Sequence, residues 1–101
     1  MQQFSVYENL HEESKTIYPY LLNIQHPIHN RFESMLVIPL VRKRKPIPNL
    51  TPEIVIEKST FLAYTPEMLT MYRSMVGKEV CSLSHRSSEF INAVDFLITG
   101  F

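Results

Sequence analysis

Cysteine is nearly absent. Cys81 stands alone, so no internal disulfide can form, and a reducing compartment is expected. Glycine is almost as scarce, with only Gly77 and Gly100. That excludes the glycine-rich loops that cradle phosphates, and no G-x-S-x-G elbow presents a serine nucleophile. Net charge is missing too: 10 basic residues cancel 10 acidic ones. The chain as a whole therefore has no electrostatic pull toward nucleic acid or an acidic membrane. No run of about 18 apolar residues exists, so no membrane span is expected. Met1 to Leu10 lacks a basic stretch followed by an apolar one, so no secretory signal is expected there, and a cytoplasmic location follows.

What is present is enough apolar material for a modest core. Of 101 residues, 45% are hydrophobic, which predicts one globular domain over residues 1–101. Phe4, Val6 and Glu8 alternate with Ser5 and Tyr7 as a first strand. His11 to Lys15 reads as a connection, and Tyr18 to Ile24 as a second strand with Pro19 at its start or edge. Gln25 to Arg31 is a loop around Pro27. Met35 to Val41 is continuously apolar, as in a strand covered on both faces, with Pro39 where pairing ends or bulges. Arg42-Lys43-Arg44-Lys45 and three prolines, Pro46, Pro48 and Pro52, make an extended loop.

Ile54 and Ile56 begin a hairpin that turns over Glu57 to Ser59 and returns as Phe61 to Tyr64. Thr65-Pro66 starts a short turn. Met71 to Val76 reads as another strand, Gly77-Lys78 as a turn, and Val80 to Leu83 as a last short strand. Ser84 to Phe101 then has helical periodicity. Phe90, Val94, Leu97 and Ile98 form an apolar stripe widened by Ile91 and Ala93. Ser88, Asn92, Asp95 and Thr99 gather opposite, and Gly100 sits where a helix stops. Many short strands followed by one helix predict a bent antiparallel sheet or barrel with a helix packed on it.

The chemistry-bearing residues are sparse. His26 and His29 flank Pro27, which breaks the helical geometry that would converge them on a metal, so a plain loop is the better reading. Cys81 near His85 has the components of a thiolate pair, yet its apolar flanks suit a small buried side chain. Met68, Met71 and Met75 with Tyr72 suit either core or an adaptable contact surface. Arg42 to Lys45 is the sharpest charge feature. Little aromatic interleaving accompanies it, so an acidic partner segment fits it as well as nucleic acid does.

From end to end the chain resembles the CcdB family of bacterial toxins. The carriers are the opening Met1-Gln2-Gln3-Phe4-Ser5-Val6-Tyr7, the strand Leu36-Val37-Ile38-Pro39-Leu40, and Leu83-Ser84-His85-Arg86 leading into the helix. Asn92-Ala93 mid-helix and the ending on glycine plus a bulky apolar residue complete the pattern. The resemblance implies a mainly β fold with one C-terminal α-helix, an SH3-like barrel of antiparallel strands shared with MazF-like toxins, and a homodimer. It implies a toxin that binds the A subunit of DNA gyrase and traps it on cleaved DNA. It implies a cognate CcdA-like antitoxin that removes the toxin and with it represses transcription of the operon, DNA being touched only indirectly.

No catalysis, cofactor or metal is implied, and the chain is expected not to be an enzyme. Carried over by position, the gyrase-binding residues are Asp95, Ile98, Thr99, Gly100 and Phe101, bordered by Ile28 and His29. The basic run Arg42, Lys43, Arg44 and Lys45 is assigned to antitoxin binding. This chain departs from the best-known members by having Thr99 where they carry tryptophan, and Phe101 where they end in isoleucine. An mRNA endoribonuclease of the MazF kind, and a CcdB-like module that has lost gyrase poisoning, are the alternatives.

Overall fold

Seven strands, short 3-10 turns and one α-helix appear in the computed structural model, which describes residues 1–100. The strands are β1 (Ser5–Asn9), β2 (Tyr20–Asn23), β3 (Ser34–Val41), β4 (Glu53–Ile56), β5 (Ser59–Ala63), β6 (Leu69–Tyr72) and β7 (Val76–Ser82). The helix α1 covers Ser87–Thr99. All pairings are antiparallel, in the order β4-β5-β3-β2-β1-β7, with β6 on β3. The β1–β7 register slips between Val6 and Tyr7 and again before Asn9. Such irregularities bend a strand pair, and they help to curl this sheet.

Alternation along the central strands feeds two cores. Phe4, Val6, Leu22, Ile38, Leu40, Ile54, Phe61, Leu83 and Phe90 pack between the sheet and α1. Tyr7, Leu21, Met35, Val37, Met71 and Val76 pack on the other face. β3 is thus covered on both sides, as its unbroken apolar run requires. Pro39 sits where β3 changes partners. Residues 34–37 pair with β6, whereas Leu40 and Val41 pair with β5. A residue without an N–H donor is tolerated at that exchange. The mainly β fold with one C-terminal helix is as expected.

Two expectations are corrected. The turn after β6 lies at Arg73–Met75, and Gly77-Lys78 is not a turn but part of β7. A Cβ at Gly77 would stand 3.0 Å from a Leu10 side-chain carbon and 3.2 Å from Glu8 Cβ, so the strand passes close to its neighbour there. A glycine inside a strand commonly marks such close approach. The helix face also differs. A 3-10 turn at Ser84–Arg86 precedes α1, and only Phe90 and Ala93 of the helix are fully buried. Leu97 and Ile98, expected on the inward stripe, are exposed, Ile98 at 71%. In the last turn of the helix only Phe96 is half-buried, beside the proline loop, while Leu97, Ile98 and Thr99 face solvent.

Of the methionine group, Met71 is buried and Met68 and Met75 pack against the two cores, while Tyr72 is exposed. Among the described residues no helix is long and apolar enough to cross a membrane.

Candidate functional site

The projecting end of α1 is built by its own stop signal. Gly100 takes φ +79° and its N–H donates to the Phe96 carbonyl at 2.8 Å. Only glycine holds that conformation without Cβ strain. Gly100→Ala is therefore expected to cost about 1 kcal/mol locally. Amide exchange of the last helical turn should quicken while the global unfolding midpoint barely moves, because among the described residues a Cβ added there would meet no neighbouring segment within 4 Å.

Thr99 Oγ1 donates to the Asp95 carbonyl at 2.7 Å, so its hydroxyl is already partnered on the helix. Asp95, Ile98, Thr99 and Gly100 are all exposed. The last turn carries no basic residue, so the negative end of the helix dipole and Asp95 add to one another. The terminus thus offers an apolar side chain, Ile98, beside a locally negative rim. Phe101, assigned to the same surface, lies outside the described residues.

Asp95 also stands on the wall of a cleft of about 220 Å³ between α1 and the sheet, with Gln3, Phe4, Ile24, Ile91 and Val94. Phe4 has φ +63°, an outlier for a bulky residue. Its N–H donates to Asn23 O at 2.6 Å and its ring stacks on Phe90 at 6.3 Å, which holds the turn in place. Gln3 Nε2 donates to the Ile24 carbonyl at 3.2 Å. These cleft residues were not singled out from the sequence. Phe4 reads as an ordinary strand residue, and no spacing rule shows that the helix lies across it.

Ile28 and His29 do not line the cleft. They follow Ile24 in a 3-10 turn, Pro27–His29, where His26 Nδ1 accepts the Ile28 N–H at 3.1 Å. Ile28 is 72% exposed, and the His29 ring stacks on Phe32 at 5.3 Å. The imidazoles serve as cap and stacking partner. Among the described residues, no group of three or more His, Cys, Asp or Glu side chains could hold a metal ion. Cys81 is half-buried. Burial, and then Glu79, pushes its thiol up, the opposite of what a nucleophile needs.

The basic run does not act as four equivalent cations. Arg44 forms a two-pronged ion pair with Glu67, Nη1 to Oε2 and Nη2 to Oε1. Tyr18 donates its hydroxyl to Glu67 Oε1 at 2.6 Å, and Arg44 lies over the Tyr64 ring at 5.0 Å. Arg42 lies over Phe61 at 4.9 Å. Arg44 is thus also a structural clamp between segments remote in sequence. Lys43 and Lys45 remain exposed, and Lys43 has φ +54°.

The Arg44 guanidinium, and then the Tyr18 hydroxyl, hold the Glu67 carboxyl below the usual carboxylate range. A depressed folded value means that ionised Glu67 favours the fold above the unfolded value, and that this is lost as pH falls through the folded value. Acidification below about pH 4.5 should therefore loosen the loop. In Glu67→Gln, the unfolding midpoint should vary less with pH across that acid window.

Comparison with known proteins adds to this geometry. The family described as "CcdB protein" matches residues 3–100. Among solved structures, the chain is similar to "Endoribonuclease from Mycobacterial species", with TM-score 0.70 and 11% identity over 97% of this chain and 90% of that one. It is equally similar to "Endoribonuclease in complex with its cognate antitoxin from Mycobacterial species", with TM-score 0.70 and 12% identity over 97% of this chain and 94% of that one. This corrects the expectation that the chain is not an enzyme. Proteins named for cutting RNA have the same fold along nearly its whole length, so the architecture gives no ground for denying it catalysis.

Proposed function

The chain belongs to the CcdB family, and from that premise we propose that it is the toxin of a toxin–antitoxin pair, acting on the A subunit of DNA gyrase through the end of α1. The observation that carries this reading is the projecting last turn. Ile98 is 71% exposed on a helix whose first turns are anchored by buried Phe90. A protruding apolar side chain on a rigid support suits an interface anchor, since few buried side chains supply most interface energy. Asp95 and Gly100 give a charged rim and close backbone approach, and Ile28 and His29 border the contact. Phe101 supplies a second anchor. Bound there, the toxin would hold gyrase on cleaved DNA.

A cognate CcdA-like antitoxin would remove it, and the pair would repress its own operon in the cytoplasm. One domain over residues 1–101 assembles as a homodimer in this reading, presenting two helix ends to a twofold-symmetric target. Light scattering should give twice the chain mass at micromolar concentration, and a monomer there would contradict the dimer.

A second reading is favoured by one observation, the fold shared with the two endoribonucleases. In it the chain would cut mRNA. Expression in cells with wild-type gyrase and in cells with toxin-resistant gyrase separates the cases. Killing confined to the former is expected. Equal killing in both, with ordered cleavage of RNA by the purified protein, would move the assignment to the ribonuclease. Absence of killing in both would indicate a module that has lost its poison.

A further inference from the structure

We infer that a groove between the loop before β3 and the end of β6 binds an unpaired guanine in a single nucleic-acid strand. The groove measures about 490 Å³ and is lined by residues 30–33 and 72–74. Phe32 and Tyr72 come from its two segments, 49% and 65% exposed, and they are the only exposed aromatic rings among the described residues. Most rings are buried, so two uncovered ones from segments remote in sequence mark a contact surface. The rings beside the basic run differ. Phe61 and Tyr64 lie under the guanidiniums of Arg42 and Arg44, whereas among the described residues no cation lies over Phe32 or Tyr72. The His29 ring stacks on Phe32 with planes 16° apart, which leaves the second face of Phe32 for a base. The two segments are also tied together. Arg73 N donates to Glu33 O at 2.8 Å, Arg73 Nε donates to Phe32 O at 2.5 Å, and Tyr72 pairs with Ser34 across the sheet. Binding therefore costs little ordering of the backbone that carries the rings.

Charge and hydrogen-bonding groups choose the ligand. Arg31 and Arg73 bring two cations to the groove, and guanidinium forks match phosphate oxygens. Rings for stacking beside cations for phosphate are what holds single strands. Glu33 is the informative departure, because a carboxylate repels phosphate. Among the described residues the ion pairs take Glu12, Glu67 and Glu89, so Glu33 stands in the groove without one. A carboxylate only accepts, through two neighbouring oxygens, and its match is a pair of adjacent donors. Of the common bases guanine alone presents such a pair, its N1–H beside its exocyclic amine. Adenine, cytosine, uracil and thymine set an acceptor beside each donor. These edges are open only in unpaired bases. One stacked base holds a free nucleotide weakly, so the ligand is a strand, whose neighbouring phosphates add to the contact.

The test uses the full chain and fluorescent DNA strands of about eight nucleotides, one of thymine alone and one with a central guanine, with binding read by anisotropy at low salt. The guanine strand should bind at least about tenfold more tightly. Inosine in place of guanine lacks the exocyclic amine and should lose most of that gain. Tyr72→Ala should weaken binding of both strands about tenfold. Arg31→Ala should weaken both and flatten the salt dependence. Glu33→Ala is the discriminating variant. It makes the groove more positive, so charge alone predicts tighter binding of both strands with the preference kept, whereas base recognition predicts that the guanine preference disappears. The corresponding RNA strands should bind within about threefold of the DNA ones, because stacking and the guanine edge are common to both.

The three substituted side chains are exposed or at the groove rim, so thermal midpoints should stay close to that of the parent. The comparison of strands on the unaltered chain needs no variant and remains informative if one perturbs folding. Equal affinity for the two strands there would overturn the choice of guanine. Unchanged affinity in both Tyr72→Ala and Arg31→Ala would overturn the groove. A guanine preference kept by Glu33→Ala would overturn the role of that carboxylate. A preference for RNA above about tenfold would overturn recognition through base and phosphate alone. An acidic, aromatic peptide that bound more tightly than either strand, and lost that affinity in the same variants, would overturn the choice of ligand. No binding of either strand at about 0.1 mM protein would overturn the inference as a whole. It rests on neither reading above, since holding a strand needs no gyrase and no cleavage of RNA.

Discussion

Phe90→Ala should lose about 3–5 kcal/mol of stability, the usual cost of emptying a fully buried phenylalanine site. That is a large part of the roughly 5–15 kcal/mol that holds a chain of this size together. Phe90 is wholly inaccessible and is the residue of α1 that lies within the sheet core, with Val94 packed against it. Its ring stacks against Phe4 at 6.3 Å with planes 23° apart, and the Arg86 guanidinium lies 5.6 Å above it. Arg86 in turn donates to Glu53 O at 2.8 Å and pairs with Glu89, so the helix start is fastened beside the ring.

Loss of the ring leaves Phe4 in a left-handed conformation without the packing that holds it there. Thermal unfolding should fall by at least about 12 °C, taking 4 °C per kcal/mol for a chain near this length. Urea unfolding measures the same quantity independently. A loss below about 1 kcal/mol would mean that α1 is not held to the sheet through this side chain.

Deleting Thr99 to Phe101 should have the opposite signature, with little change in stability and a large loss of toxicity. Among the described residues, the removal breaks the Thr99 hydroxyl bond to Asp95 O and the Gly100 N–H bond to Phe96 O, both at the exposed helix end. Ile98→Asp tests the same surface without shortening the chain. Each change should weaken inhibition of gyrase at least about thirtyfold, the consequence of losing a hot-spot contact of about 2 kcal/mol. Val55→Asp is the matched control. Val55 is 62% exposed on β4, away from the helix end, and should leave inhibition unchanged. Full inhibition by the shortened chain would place the contact elsewhere.

The order of elements was readable because several local signals agree. Met35 to Val41 is too uniformly apolar for a surface strand, and it lies between two cores. Glu57 and Lys58 turn the β4–β5 hairpin with φ +48° and +69°, without the Asn-Gly pair that usually marks such a turn. Alternation on both sides was enough to locate it. The β6–β7 boundary was misread because Met71 to Val76 is apolar while Gly77-Lys78 resembles a turn. The close approach at Gly77 comes from Leu10, on another segment.

The helix stripe failed for a related reason. Periodicity reports which residues share a face, but it does not report how much of that face the rest of the fold covers. Leu97 and Ile98 therefore look like core and stand in solvent. Legibility of the site divides in the same way. Gly100 and the polar strip follow from helical geometry. The pairing of Arg44 with Glu67 and Tyr18 joins three remote segments and has no signature in spacing. The fold alone also gave too little reason to deny the chain catalysis.

The most direct measurement mixes the purified protein with DNA gyrase, ATP and relaxed plasmid, then denatures the mixture and digests gyrase with protease. Linear plasmid should accumulate in proportion to added protein if gyrase is held on cleaved DNA as proposed. It should fail to accumulate with the chain lacking Thr99 to Phe101. Complete supercoiling with no linear DNA at any protein concentration, alongside ordered cleavage of RNA by the same preparation, would contradict the account.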